Sequence, residues 1–211
     1  MSGECEPIKL TVEVENDEYT QYLSDYFDYS FTGTSTFTLP HLEYPNDFNI
    51  GLIVGSSGSG KTQLLKHHFD YEDSGLEWSR NKSILSHFET PELGVKKLMA
   101  CGLSSIPSLC KPYHVLSNGE QFRADMARQL YDGAVIDEYT SVVNRETAVS
   151  LSIALEKYVR KNNIKKIIIS SVHRDIIKWL QPDWIFDTDS LNLINVDMKN
   201  NRKRVAKIEI E

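Results

Sequence analysis

The chain has 211 residues, a formal net charge of -7, 40% apolar residues and 25% charged ones. That length suits one compact domain, or one domain with a small lobe, and can bury a sizeable core without staples. The acidic balance argues against a surface coated in nucleic-acid-binding charge. Cys5, Cys101 and Cys110 are too few for a disulfide framework and match no zinc spacing.

Residues 1–6 are polar and acidic, without the basic patch and apolar run of a signal peptide. Residues 8–14 alternate apolar and polar side chains and read as a strand. Residues 15–33 are acidic and rich in tyrosine and phenylalanine, and the pattern assigns them no element. Residues 35–39 form a second expected strand, stopped by Pro40. Residues 49–54 form a short buried strand running into a glycine-rich turn, and residues 61–69 a helix. A strand is expected near 83–86. A helix follows, with Thr90 as N-cap, Pro91 in its first turn, Gly102 just past its end, and Leu93, Val95, Leu98 and Met99 as its apolar side. After a loop holding Pro107 and Pro112, residues 117–131 read as a helix ended by Asp132-Gly133. Residues 134–136 read as a buried strand. Residues 145–161 read as a long helix with Ala148, Leu151, Leu155 and Tyr158 on one stripe. Residues 166–170 form an isoleucine-rich strand and 174–180 a short helix. Strands are expected at 184–186, 191–196 and 205–210. The basic clusters at 157–166 and 199–207 read as solvated faces. The longest apolar stretch, 164–172, is broken by Lys165, Lys166 and two serines, so no membrane span is expected. The whole predicts an α/β fold with a mostly parallel core sheet and antiparallel strands at its ends.

Gly55-Ser56-Ser57-Gly58-Ser59-Gly60-Lys61-Thr62 fits the G-x-x-x-x-G-K-[ST] pattern between an apolar strand and a helix. Glycines let the backbone wrap closely, so that successive N–H groups face phosphate oxygens, and the following helix presents its positive end to the same anion. Lys61 adds a full charge at the outer phosphates, and Thr62 offers a hydroxyl to Mg2+.

Three later segments narrow the family. Leu116-Ser117-Asn118-Gly119-Glu120, continuing through Arg123, Ala127, Arg128 and Leu130, resembles the signature of ATP-binding-cassette (ABC) ATPases, usually Leu-Ser-Gly-Gly-Gln. Ala134-Val135-Ile136-Asp137-Glu138 looks like a Walker B strand with its catalytic glutamate. Ser141-Val142-Val143-Asn144 resembles the D-loop. His173 falls where the family's switch histidine belongs, although alone it would read as an ordinary strand-end histidine. Their order from Gly55 to His173 is the family's.

The resemblance implies a P-loop fold over residues 1–211 with a reduced helical signature lobe at about 88–131. ATP and Mg2+ are the implied ligands: Gly55 to Thr62 bind nucleotide, as do Ser117, Asn118 and Gly119 from a second copy, and the copies form a homodimer around ATP. Thr62 and Asp137 are the metal-facing candidates, Glu138 positions the attacking water, and His173 contacts the γ-phosphate. No glutamine lies between Gln63 and Gln121 where the family has one, and His87 either substitutes for it at the metal or leaves the role vacant. Tyr29 or Phe31 either stacks on adenine or packs in a strand. Glu120 is typical of the chromosome-maintenance and DNA-repair branch, and Asn144 replaces the D-loop aspartate. No long coiled coil fits, so the resemblance is to small stand-alone bacterial and phage proteins. A cytoplasmic clamp or switch on a protein or nucleic-acid partner is the expected function, in DNA metabolism or phage-host conflict. A transporter's nucleotide-binding subunit, or a nucleotide-gated binding module with little hydrolysis, is the alternative.

Overall fold

The computed structural model describes residues 8–72 and 75–196. The expected strand at 205–210, the basic cluster at 199–207 and Cys5 lie outside the described residues. The chain divides into two compact units, Met1–Glu43 and Tyr44–Glu211.

In the first unit, β1 (Ile8–Glu13) pairs antiparallel with β2 (Thr34–Leu39), with Leu10 opposite Phe37. Between them the unassigned aromatic segment forms a helix, α1 (Glu18–Phe27). Asp17 starts it with a reciprocal cap: its carboxylate accepts the N–H groups of Tyr19 and Thr20, and the Thr20 hydroxyl accepts the Asp17 N–H at 3.0 Å. The rings of Tyr22 and Tyr26, one turn apart, stack at 5.7 Å. Tyr29 and Phe31 lie in the turn between α1 and β2.

The second unit is built on a five-stranded sheet. Its strands are β3 (Ile50–Val54), β4 (Val135–Ile136), β5 (Ile167–Ser171), β6 (Trp184–Asp187) and β7 (Asn192–Asn195), in the order β4-β5-β3-β6-β7. The first four are parallel and β7 is antiparallel at the edge. Every residue of β3 and β5 is buried, as a strand covered on both faces requires. At Gly51 a Cβ would overlap the indole of Trp184, so only glycine lets the two strands pack there. The same indole lies against Tyr44, Phe48 and Phe69.

The helices of this unit are α2 (Lys61–His68), α3 (Pro91–Ala100), α4 (Ile106–Leu109), α5 (Asn118–Gln129), α6 (Arg145–Lys161) and α7 (Ile177–Leu180). The Thr90 hydroxyl caps α3, whose Leu98 is fully buried while Met99 faces outward. On α6 the Asn144 side chain accepts the Thr147 N–H at 2.9 Å, and Ala148, Leu151, Leu155 and Val159 are buried. Tyr158 packs half-buried beside them.

Three expectations change. Residues 83–86 do not form a strand: Ile84–His87 is a 3-10 turn, because the Ser83 hydroxyl accepts the Ser86 N–H and closes the chain on itself. The loop with Pro107 contains the short helix α4. The helix expected at 174–180 starts as a 3-10 turn, Arg174–Ile176, before α7.

Candidate functional site

The C-terminal ends of the parallel strands gather the chemistry-bearing loops, the usual place for a site in an open α/β sheet. β3 runs directly into the Gly55–Thr62 turn. Gly60 caps α2 in the left-handed region, at φ 86°, and no side chain caps this helix end. Its first N–H groups are therefore left for an anion. The far side of the turn is anchored by the residues after β6. Thr188 Oγ1 lies 2.6 Å from Ser59 Oγ and 3.1 Å from the Val54 carbonyl, and a Cβ on Gly55 would overlap it. Asp189 accepts the Ser56 N–H at 2.9 Å and the Ser56 hydroxyl at 2.7 Å. Arg174 forks onto Asp187 and Asp189 at 2.9 and 2.6 Å. Arg174 and then Ser56 hold the Asp189 carboxyl down to about 2.

Lys61 is folded back into its own turn, where its ammonium donates to the carbonyls of Gly55 at 2.9 Å and Ser56 at 2.6 Å. Burial pulls its pKa below the ordinary lysine value, against the attraction of Asp137. The Thr62 hydroxyl donates to Asp137 at 2.6 Å. The other Asp137 oxygen accepts the Ser170 hydroxyl and, at 2.9 Å, the Glu138 N–H. Glu138 sits in the left-handed region at φ 51°, a conformation that non-glycine residues seldom adopt and that clusters at functional sites. Ser141 Oγ donates to its carbonyl at 2.8 Å and reaches its carboxylate at 3.3 Å. His173 follows β5; burial, then the nearby Arg145 guanidinium, lowers its pKa.

These groups frame one cavity of about 560 Å³, lined by Ser57, Gly58, Gly60, Lys61 and Thr62 of the turn and by Asp137, Glu138, Ser141 and His173. That volume falls in the range of small-molecule sites. Among the described residues no cluster of three or more His, Cys, Asp or Glu could hold a metal ion by itself. A hard cation here would take one or two protein oxygens, from Thr62 and Asp137, and complete its shell from phosphate and water. That is how Mg2+ is commonly held, so the donor set fits it.

The structure does not bring every candidate together. Ser117, Asn118 and Gly119 do not line this cavity. They form the start of α5, where the N–H and hydroxyl of Ser117 donate to Glu120 at 3.0 and 2.9 Å. The Ser108 hydroxyl donates to the second Glu120 oxygen at 2.7 Å. Led by the Ser117 N–H, these donors hold the Glu120 carboxyl down to about 2. The end of the signature-like helix thus already carries an internal anion.

His87 stands apart from these groups. It does not line the cavity, and both of its ring nitrogens are engaged: Nε2 accepts the Ser79 N–H at 3.0 Å, and Nδ1 then donates to the Ser83 carbonyl at 2.9 Å. Its ring meets Trp78 edge-on, and Trp78 is itself stacked on Tyr113 at 4.8 Å. With both nitrogens committed, no lone pair is free for a metal.

Ser170, Ser171, Thr140, Thr188 and Asp189 were not among the sequence candidates. The only signal for them was polar residues at the ends of apolar strands.

No protein-family model matches the sequence, and no curated protein does. Solved structures match the fold. One is a dimeric structure of MJ0796, a bacterial ABC transporter cassette, with a TM-score of 0.53, 14% identity, and coverage of 72% of this chain and 87% of that one. Another is a dimeric post-hydrolysis state of the same cassette bound to ADP and Pi, with a TM-score of 0.55, 14% identity, and coverage of 75% and 89%. The mostly parallel sheet, with its turn between β3 and α2, has the fold of an ABC ATPase cassette.

Proposed function

We propose that this chain binds and hydrolyses ATP with Mg2+, that two copies close around ATP, and that the closed form acts as a clamp or switch on a macromolecular partner. The observation that carries the reading is the single cavity in which the Lys61 turn, the Asp137–Glu138 pair and His173 meet. Lys61 would leave the carbonyls of Gly55 and Ser56 to hold the outer phosphates. Thr62 and Asp137 would hold Mg2+, which when bound supplies charge neutralisation and orients the phosphates. Glu138, aimed by its backbone and by Ser141, would position the attacking water as general base. His173 would donate a hydrogen bond where negative charge develops.

Dimer closure is supported by what one protomer lacks. The helix end at Ser117, capped internally by Glu120, lies outside the cavity of its own protomer. A second copy supplies it, in a two-fold arrangement with two shared sites. The partner could be protein or nucleic acid; the glutamate at 120 supports a setting in DNA metabolism. Among the described residues no helix is long and apolar enough to cross a membrane. The ADP- and Pi-bound dimer of MJ0796 supports both nucleotide binding and pairing here.

The test uses two variants. Glu138→Gln should bind ATP, lose about 100-fold or more in kcat, and run as a dimer with ATP and Mg2+. Lys61→Ala should lose ATP affinity and stay monomeric. Glu138→Gln remaining monomeric at saturating ATP would sink the clamp, and wild-type protein without ATPase activity, alone or with DNA, would sink the hydrolase.

A further inference from the structure

The cavity holds one histidine, and what it can do there depends on which ring nitrogen carries the proton. The surrounding hydroxyls decide this. Thr140 and Ser171 are each 1% exposed, so bulk water is shut out from them. Among the described residues, Ser171 Oγ has two neighbours: it accepts the His173 backbone N–H at 3.0 Å and lies 2.9 Å from Thr140 Oγ1. Thr140 Oγ1 in turn lies 2.6 Å from His173 Nδ1. Each hydroxyl has one proton to give. The Ser171 proton has one acceptor in reach, Thr140 Oγ1. The Thr140 proton then has one acceptor, His173 Nδ1. The reverse direction would leave the Ser171 proton buried without an acceptor, at the desolvation cost of an unmade hydrogen bond.

We infer that Thr140, oriented by Ser171, is a positioning residue that holds His173 as the Nε2–H tautomer, so that the ring presents a donor rather than a lone pair to the cavity. The inference rests on the ATPase reading for its purpose, since a donor is what a phosphate oxygen requires, but not for its geometry. The ring of contacts is local: β5 ends at Ser171, the loop after β4 supplies Thr140, and His173 closes the circuit two residues past Ser171. Burial of the imidazole and the positive charge of Arg145 act in the same direction, keeping the ring neutral so that the tautomer question arises at all.

The experiment is nitrogen-15 NMR of the imidazole in the full chain without nucleotide, above the His173 pKa. Wild type should show a protonated Nε2 and a bare Nδ1. Thr140→Val, which keeps the shape and removes the hydroxyl, should shift the ring toward a mixture of tautomers. Thr140→Ser should restore the wild-type spectrum. In turnover assays Thr140→Val should lower kcat about tenfold with little change in KM, and Thr140→Ser should recover most of it. A wild-type His173 protonated on Nδ1 overturns the inference, as does an unchanged tautomer in Thr140→Val. Should Thr140→Val fail to fold, the wild-type spectrum decides alone. Correct tautomers with no ATPase activity in any form would overturn the proposed function and leave this inference standing.

Discussion

Replacing Glu120 by glutamine should loosen the protomer and tighten the closed dimer. In the protomer one carboxylate oxygen accepts two protons from Ser117, at 3.0 and 2.9 Å, and the other accepts the Ser108 hydroxyl at 2.7 Å. A glutamine oxygen can still serve Ser117, and the Ser108 hydroxyl can turn to accept from the amide. What disappears is the negative charge at the positive end of α5. Weakening a cap of this kind costs about 1 kcal/mol. For a chain of this size that lowers Tm by roughly 2–4 °C. In the proposed dimer the balance would reverse, because a partner's γ-phosphate would approach the N–H of Ser117 beside a resident anion. One unit charge at ~4 Å in a water-like medium repels another by about 1 kcal/mol, so a doubly charged phosphate end meets about twice that. Screening by physiological salt leaves roughly a tenfold effect on affinity.

The assay compares Glu138→Gln with Glu120→Gln/Glu138→Gln, by sedimentation with ATP and Mg2+ and by thermal melting without nucleotide. The expected signature is opposite signs: a lower Tm and a dimer Kd about a hundredfold smaller, roughly tenfold from each of the two shared sites. Acid adds a check. The folded Glu120 carboxyl is held at about 2 against an ordinary 4.5. Its stabilisation is therefore complete above 4.5 and is lost as pH falls from there toward 2, and Glu120→Gln should abolish that part of the acid sensitivity. A double variant with unchanged dimer affinity would refute the idea that this carboxylate competes with phosphate.

Three further outcomes follow from other contacts of the fold. Burial and then Arg145 hold the His173 pKa below the ordinary imidazole value; protonation there adds a proton at Nδ1, against the Thr140 hydroxyl that orients the ring, so activity should fall only on the acid side of that ordinary value. Arg145→Gln removes the repulsion and leaves Asp175 without its ion-pair partner, so the acid limb of the pH–rate profile should move to higher pH; no movement would refute the assignment. Gly51→Ala drives a methyl into the Trp184 ring and should destabilise the fold by about 1–3 kcal/mol, read as a lower midpoint in denaturant with the slope unchanged.

What could be read in the sequence follows what each residue needs locally. The Gly55–Thr62 turn was legible because its glycines serve a backbone path, with Gly58 and Gly60 at positive φ. The helix Arg145–Lys161 was legible at both ends because Asn144 caps it and four turns of periodicity support it. Residues 83–86 misled because four residues of Ser-Ile-Leu-Ser carry too little period to separate a strand from a turn, and the serine cap decides. Helix α1 was missed because none of its residues is buried and its aromatic side chains gave no apolar stripe, although Asp17 and Thr20 already spelled a cap. His87 was placed by its position in the chain, while its role is set by Trp78, Ser79 and Ser83, which hold both nitrogens. The Ser56–Asp189 and Ser59–Thr188 contacts join residues about 130 apart in sequence, which no local pattern reveals.

The deepest organisation of the site lies in two adjacent serines at the end of β5. Successive side chains of a strand face opposite ways, so Ser170 and Ser171 serve opposite sides of the sheet. Ser170 binds Asp137 and lies 3.2 Å from the Glu138 N–H; Ser171 binds Thr140 and the backbone of His173. β5 lies between β4 and β3, buried along its length, so these groups are referred to one rigid strand and cannot shift independently. The adjustable parts are on the turn: Lys61, bonded to its own carbonyls, and the Thr62–Asp137 contact, which a cation would have to open. A protomer built this way arrives with its acid pair and imidazole already aligned. Under the proposed function its rate would be governed by phosphate winning Lys61 and by a second helix end covering the cavity, which would make assembly, rather than rearrangement of the catalytic groups, the controlled step.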